Sequence, residues 1–329
     1  MLQYRHNSQI DYLKWDACVE ASSQRVVYAL SWYLDVVSPG WAALIEEEAG
    51  RYVTVMPLPI AKKFGIRFIM QPFYTQQLGI FSIKNDFDAA GMLALLRQNF
   101  SYVSKYSFNT DNTPGILAGI ENKNLIIRQH YTHHLNLAVS YAKIYQGYTR
   151  DRKLNLKRAQ RANLIITESK DIRPLIHLFK ADAASRITGG VSVAAYNLLE
   201  RLYQVLDSKG LATLYYTTTA AGELEAGALF VTYANKIIYL FNAATKQARS
   251  RNGRTLLLDT IIQQYAGKPY VFDFESPVAV ASIIRVYQGF GAEPAPFYTF
   301  NYNNLPAPVK VIKQVRQAFY QKILAANQT

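Results

Sequence analysis

The sequence predicts an α+β protein with mixed α/β sheets, built as two successive domains of one architecture. Three observations carry that expectation. Apolar runs of strand length are interleaved with longer runs at helical spacing. The second half reads β, α, α, β, β, β, α, β, α, β, which approximately repeats the α, α, β, β, β, α, β of the first. And 329 residues exceed what one core of ordinary size encloses.

The first half opens with a helix around Ile10–Glu20 and a second around Trp32–Val37. Trp41–Glu47 is a strand, Ala49-Gly50 a turn, and Tyr52–Ala61 an alternating strand before the turn at Phe64-Gly65. Ile66–Gln71 continues into Pro72 and a polar stretch. A helix follows from Asp86 to Phe100, then strands over Tyr102–Phe108 and Leu125–Asn136. The basic helix Tyr148–Arg161 marks the domain boundary, giving domains 1–147 and 148–329. On it Arg150, Lys153, Lys157 and Arg161 share one face, with Leu154 and Ala162 on another.

In the second half, Leu164–Glu168 is a strand, Ile172–Asp182 a helix, and Ser192–Ser208 an amphipathic helix stopped at Lys209-Gly210. Three strands follow: Leu211–Thr218, Leu224–Tyr233 and Ile237–Asn242. A helix spans Gly253–Ala266. The short strand Tyr270–Phe274 leads into a helix ending at Gln288, and a strand Phe297–Tyr302 precedes a terminal helix, Val309–Ala325.

Half of the residues are hydrophobic and 18% are charged, a globular profile. The net charge of +13 favours anionic partners: a phosphorylated small substrate, nucleic acid such as tRNA, or an anionic surface. A basic surface that only maintains solubility is the alternative. The single cysteine, Cys18, excludes an intramolecular disulfide and a thiolate zinc site. The first thirty residues hold no signal-peptide pattern, and Val26–Ile45 is broken by Asp35, Pro39 and Gly40, so a cytoplasmic protein with no transmembrane segment is expected. The 24 tyrosines can line a groove or fill core and sheet.

The element order resembles the GNAT acyltransferases in tandem, in particular the Fem-type peptidoglycan aminoacyltransferases and FemAB-like proteins. The residues that carry the resemblance are Gln71-Pro72 with Thr75-Gln76-Gln77-Leu78-Gly79, the basic helix, Gly222-Glu223-Leu224-Glu225-Ala226-Gly227, Asp273-Phe274-Glu275-Ser276 and Tyr287-Gln288-Gly289-Phe290-Gly291-Ala292. It implies two GNAT-like domains, the first degenerate. It also implies transfer of an acyl or aminoacyl group to an amine, such as that of a cell-wall peptide precursor. The donor would be acyl-CoA or aminoacyl-tRNA, with no tightly bound cofactor. The basic segment is shorter than the coiled-coil arm of Fem-type enzymes. A non-catalytic GNAT-fold binding protein, an acyl-CoA-dependent N-acetyltransferase of a small amine, and nucleic-acid binding through the Arg150–Arg161 face are the alternatives.

Candidate site residues follow from these segments. Arg251, Gly253 and Arg254 stand at a helix start, where free N–H groups and guanidiniums attract phosphate. Similar GNAT enzymes bind the acyl-CoA pyrophosphate there through Arg/Gln-x-x-Gly-x-Gly/Ala; this chain has Ser250 at the first position and Thr255 at the last. Asp273 and Glu275, at alternate positions of a strand end, can face one cleft and take a proton from an attacking amine, or cap the next helix. Tyr287, four residues before Gly291, resembles the tyrosine that protonates the leaving group in GNAT enzymes; core packing is its other reading. Tyr74, Gln76 and Gln77 can read a peptide or sugar by hydrogen bonding, or form an ordinary loop. Arg186, before Gly189-Gly190, is a candidate substrate contact or a surface arginine. His130, His133 and His134 have no carboxylate near them in sequence, so no metal site is expected.

Overall fold

The computed structural model describes residues 1–112, 125–182, 190–278 and 280–308. Arg186 and the helix expected over 309–325 lie outside the described residues. The chain forms two compact units: Met1–Gln129 with the segment that begins at Phe297, and His130–Pro296.

The first unit contains β1 (Leu2–Arg5), α1 (Tyr12–Ala21), α2 (Ser31–Val37), β2 (Ala42–Glu48) and β3 (Arg51–Leu58). It continues with β4 (Ile60–Lys63), β5 (Ile66–Met70), β6 (Phe81–Ser82), α3 (Ala89–Asn99) and β7 (Tyr102–Ser107). One antiparallel sheet has the order β1-β2-β3-β6. The alternating run that the sequence presents as one strand is two. Pro59, which has no N–H to donate to a ladder, separates β3 from β4, and β4 joins a second sheet with β5 and β7. Strands β1 and β6 lack a local signal because their stability is all long-range: β1 pairs with β2, and the two residues of β6 pair with β3. The core of this unit holds Trp15, Tyr33, Trp41 and Phe81, all fully buried.

Strand β8 (Leu125–Asn136) leads into the second unit. There follow α4 (Tyr141–Gly147), α5 (Arg150–Arg161), β9 (Ile165–Glu168), α6 (Arg173–Asp182) and α7 (Val193–Ser208). Next come β10 (Ala212–Thr218), β11 (Leu224–Tyr233), β12 (Lys236–Ala244), α8 (Lys246–Arg251) and α9 (Gly253–Tyr265). The unit closes with β13 (Val271–Asp273) and α10 (Ala281–Gln288), and β14 (Glu293–Asn303) starts at its end. The sheet order is β8-β13-β12-β11-β10-β9. The units part within β8, ahead of the basic helix, because Leu135, Leu137, Ile144 and Tyr148 share a core with Leu257, Ile261 and Phe272.

Helix α5 begins where Thr149 Oγ1 accepts the Arg152 N–H, at 3.4 Å. Its buried face is Arg152, Leu156 and Ala159, at i, i+4 and i+7. Leu154, expected on an apolar face, is 44% exposed instead. The segment pattern was misleading because an arginine occupies the core-facing stripe.

Candidate functional site

Among strands β8 to β13, every neighbouring pair is antiparallel except β12 and β13. That parallel ladder lasts three pairs, Lys236↔Val271, Ile237↔Phe272 and Ile238↔Asp273. Strand β12 then runs on to Ala244 while β13 stops, so the two part like a fork. The β13-facing edge of β12 from Tyr239 onward carries no strand partner among the described residues. Backbone N–H groups on such an edge are open to a ligand.

Beside the fork lies a cavity of about 320 Å3. Arg254, Asn252 and Thr255 from the start of α9, Arg152 from α5, Tyr239 from β12 and Tyr287 from α10 line it. Asn252 takes a left-handed conformation (φ 62°) between α8 and α9, and no side chain caps α9. An uncapped helix start presents donors and the positive end of the helix dipole. Gly253 is buried, and a Cβ there would sit 2.8 Å from Thr217 Oγ1, so glycine lets the start of α9 approach the sheet.

Arg152 is the residue that the sequence concealed. It is buried, its NH1 donates to Thr255 Oγ1 at 2.8 Å, and its guanidinium lies 5.0 Å from the centre of the Phe290 ring. Its Nε has no hydrogen-bond partner among the described residues. Burial lowers its pKa from the ordinary value, with Asp151 opposing, yet an arginine stays cationic. Neither Arg152 nor Arg254 has a carboxylate at ion-pairing distance among the described residues; Arg254 donates to Asn242 Oδ1 at 3.2 Å. A buried cation beside a cavity without a carboxylate partner favours an anion in that cavity. The signal was one of six basic side chains on the Tyr148–Arg161 segment, and only packing singles it out.

Arg251 does not line this cavity. It pairs with Glu225, which is buried on β11. Arg249 does line it, but is paired with Asp182.

Tyr287 is buried and stacks on Phe274 at 4.6 Å. Burial raises its pKa, with the neighbouring Tyr239 adding to the effect and Arg254 opposing, so its hydroxyl stays protonated at neutral pH. That hydroxyl makes no hydrogen bond with the described residues, which leaves it able to donate to a ligand.

Asp273 and Glu275 are not two alternate residues of one strand. β13 ends at Asp273, and Glu275 turns into the left-handed region (φ 45°) with its N–H donated to Asp273 Oδ1 at 2.9 Å. Asp273 is buried and also accepts from Thr132 Oγ1 at 2.5 Å. Burial alone would raise its pKa, but His134 and these hydrogen bonds outweigh it and hold the carboxyl below its usual range. His134 Nε2 stands 3.4 Å from Asp273 Oδ2, so the histidines do have a carboxylate beside them, brought from β13. His133 Nδ1 instead meets Ser276 Oγ at 2.8 Å, and burial lowers its pKa. Among the described residues no group of three or more such side chains is placed to hold a metal ion.

Tyr74, Gln76 and Gln77 belong to the first unit. The Gln77 amide donates to Gln76 Oε1 at 2.9 Å and accepts the Thr110 N–H at 3.0 Å, while the Tyr74 carbonyl accepts from Tyr33. Gln77 is buried and ties its own loop to Thr110, beyond the end of β7.

The fork, the cavity and the helix start can be compared with known proteins. Residues 145–276 match a family described as an acetyltransferase (GNAT) domain. The solved structure of FemX covers 98% of this chain and 100% of its own, at 12% identity and a TM-score of 0.63. A tandem GNAT protein from the clavulanic acid biosynthesis pathway covers 93% and 100%, at 12% identity and a TM-score of 0.52. The chain has the tandem GNAT acyltransferase fold. The structure of L-PGS from Bacillus licheniformis is similar as well, with 12% identity, a TM-score of 0.51, and coverage of 93% of this chain and 96% of that one. No curated protein matches the sequence. No helix among the described residues is long and apolar enough to cross a membrane.

Proposed function

We propose that this protein transfers an acyl or aminoacyl group from a phosphate-bearing donor to an amine. The observation that carries the reading is the convergence of an uncapped helix start, Arg152 and Arg254 on a cavity that opens at the β12–β13 fork. The phosphates of acyl-CoA or of an aminoacyl-tRNA end would rest against α9 and the two arginines. The reacting carbonyl would lie in the fork, with N–H groups of the free β12 edge stabilising its oxyanion. Tyr287 would give its proton to the leaving sulfur or oxygen, helped by a hydroxyl that burial keeps protonated. Glu275 would serve on the acceptor side, and a cell-wall peptide precursor is the acceptor that the Fem-type resemblance suggests.

The test is a transfer assay with acetyl-CoA and with alanyl-tRNA, each labelled in the acyl group, against small amines and a muropeptide precursor. Label appearing on an amine with either donor supports the proposal. Binding of both donors without transfer to any acceptor contradicts it and favours a GNAT-fold binding protein.

A further inference from the structure

His134 and Asp273 meet where the sheet forks. Asp273 is the last β13 residue paired with β12, through Ile238, and it is also the β13 residue opposite His134 of β8. Residues alternate across a strand, so Asp273 and Phe272 point to opposite faces. Phe272 belongs to the core that contains Tyr239, Phe274 and Tyr287, on the cavity side. The His134–Asp273 pair therefore occupies the other face of the sheet, at the same fork.

The carboxylate is built to hold one orientation. Oδ1 accepts both the Thr132 hydroxyl and the Glu275 N–H, leaving Oδ2 turned to His134 Nε2 at 3.4 Å. That Nε2 is buried and has no aligned hydrogen-bond partner among the described residues, whereas the His134 side chain as a whole keeps 22% of its surface open. The open part of the ring is thus away from Nε2. An ionised carboxylate beside one ring nitrogen favours the proton there and leaves the lone pair on the other.

We propose that His134 is the proton acceptor for the attacking amine, working from the face of the sheet opposite the donor cavity, with Asp273 as its positioning residue. This rests on the acyl-transfer reading above and adds the group that activates the acceptor. The amine nitrogen forms the new bond to the carbonyl carbon, and the bond from that carbon to the donor sulfur or oxygen breaks. The proton lost by the amine goes to His134 Nδ1, and the leaving group departs with the proton of Tyr287. A proton then passes from His134 back to Tyr287 through solvent. With donor and acceptor on opposite faces, the fork is the only place where they need to meet.

Two measurements on the full chain test this. The first is nitrogen-15 NMR of the histidine rings, with the His134 signal assigned by loss in His134→Gln. The expected result is the tautomer protonated at Nε2, with that preference lost in Asp273→Asn, a variant that still accepts from Thr132 and Glu275. A ring protonated at Nδ1, or one indifferent to Asp273→Asn, overturns the pairing whether or not transfer is found. The second compares an amine acceptor with hydroxylamine, which attacks without a base, using acetyl-CoA and alanyl-tRNA as donors. His134→Gln and Asp273→Asn should each lose at least roughly 100-fold in amine transfer and less than about 10-fold with hydroxylamine. Equal losses with both nucleophiles, or unchanged amine transfer, would overturn the role. If wild type transfers to nothing, the acyl-transfer reading has failed and the NMR result still decides the dyad.

Discussion

The two units carry the same kind of fork and finish it differently. In the first, β5 and β7 are the parallel pair, joined at Ile69↔Val103 and Met70↔Lys105. Beyond it the chain closes its own gap. Gln71 N–H reaches Lys105 O at 3.0 Å, Leu78 N–H reaches Ser107 O at 2.8 Å, and the Gln71 side chain accepts the Ser107 N–H at 3.0 Å. The helix that follows is capped by a carboxylate, Asp88, which takes the Gly91 N–H at 2.7 Å. In the second unit the fork stays open; the short α8 is capped by Thr245, but α9, which leads to β13, has no side-chain cap, and two arginines lie beside it. One topology thus ends either in a filled gap or in an open cleft, depending on whether backbone and side-chain hydrogen bonds close it.

The tyrosines separate the two units most strongly. Tyr106 in the first unit is fully buried and its hydroxyl bonds Pro57 O at 3.0 Å and Gly79 O at 3.1 Å, whereas Tyr287 lines the cavity and its hydroxyl makes no hydrogen bond with the described residues. Tyr287→Phe should lower kcat by roughly 100-fold with little change in melting. Tyr106→Phe should cost about 1–3 kcal/mol in denaturant unfolding and leave kcat/KM alone, because the one hydroxyl proton shared by two buried carbonyls is lost and the Gly79 N–H loses its acceptor.

A smaller effect is expected from the cavity cations. Arg152→Met should weaken coenzyme A or tRNA binding about 10-fold, measured by calorimetry. It should leave the fold as stable or more so, since a methionine removes a buried charge without a carboxylate partner. Gly253→Val sharpens the same point from the backbone. Its side chain would collide with Thr217, cost about 1–3 kcal/mol in a denaturant melt, and displace the start of α9.

In the first unit, Asp88→Ala should cost about 1 kcal/mol, as a lost helix cap does, with no change in donor binding. The smallest effect is on acid stability. Asp273 has a folded-state pKa below its unfolded value of about 3.9, so its contribution is complete above that pH and is lost as pH falls through the folded value. Asp273→Asn should therefore flatten the fall in stability below about pH 4, read from urea melts at successive pH values.

Much of this fold was legible because its elements carry local signals. β11 (Leu224–Tyr233) and β8 (Leu125–Asn136) begin and end where the apolar runs do, and α9 starts at Gly253 as read. Helices α4 and α8 were not legible: each is one or two turns long, and its stability comes from neighbours. The site was half legible. Arg254 and Tyr287 line one cavity, whereas Gly253 does not line it and is buried at the start of α9. Arg251 does not, because a buried Glu225 claims it, and no local pattern reports a partner 26 residues away. Arg152 and His134 were hidden for the same reason, their meaning lying in what β13 and α9 bring to them.

The central claim is that the open fork of the second unit, and not the closed one of the first, holds the donor. Equilibrium binding of coenzyme A and of tRNA to wild type, Arg254→Ala and Gln77→Ala tests it most directly. The account predicts that at least one of the two ligands binds wild type, weakens about 10-fold in Arg254→Ala, and is unaffected in Gln77→Ala. Equal binding in wild type and Arg254→Ala, or a loss confined to a folded Gln77→Ala, would contradict it.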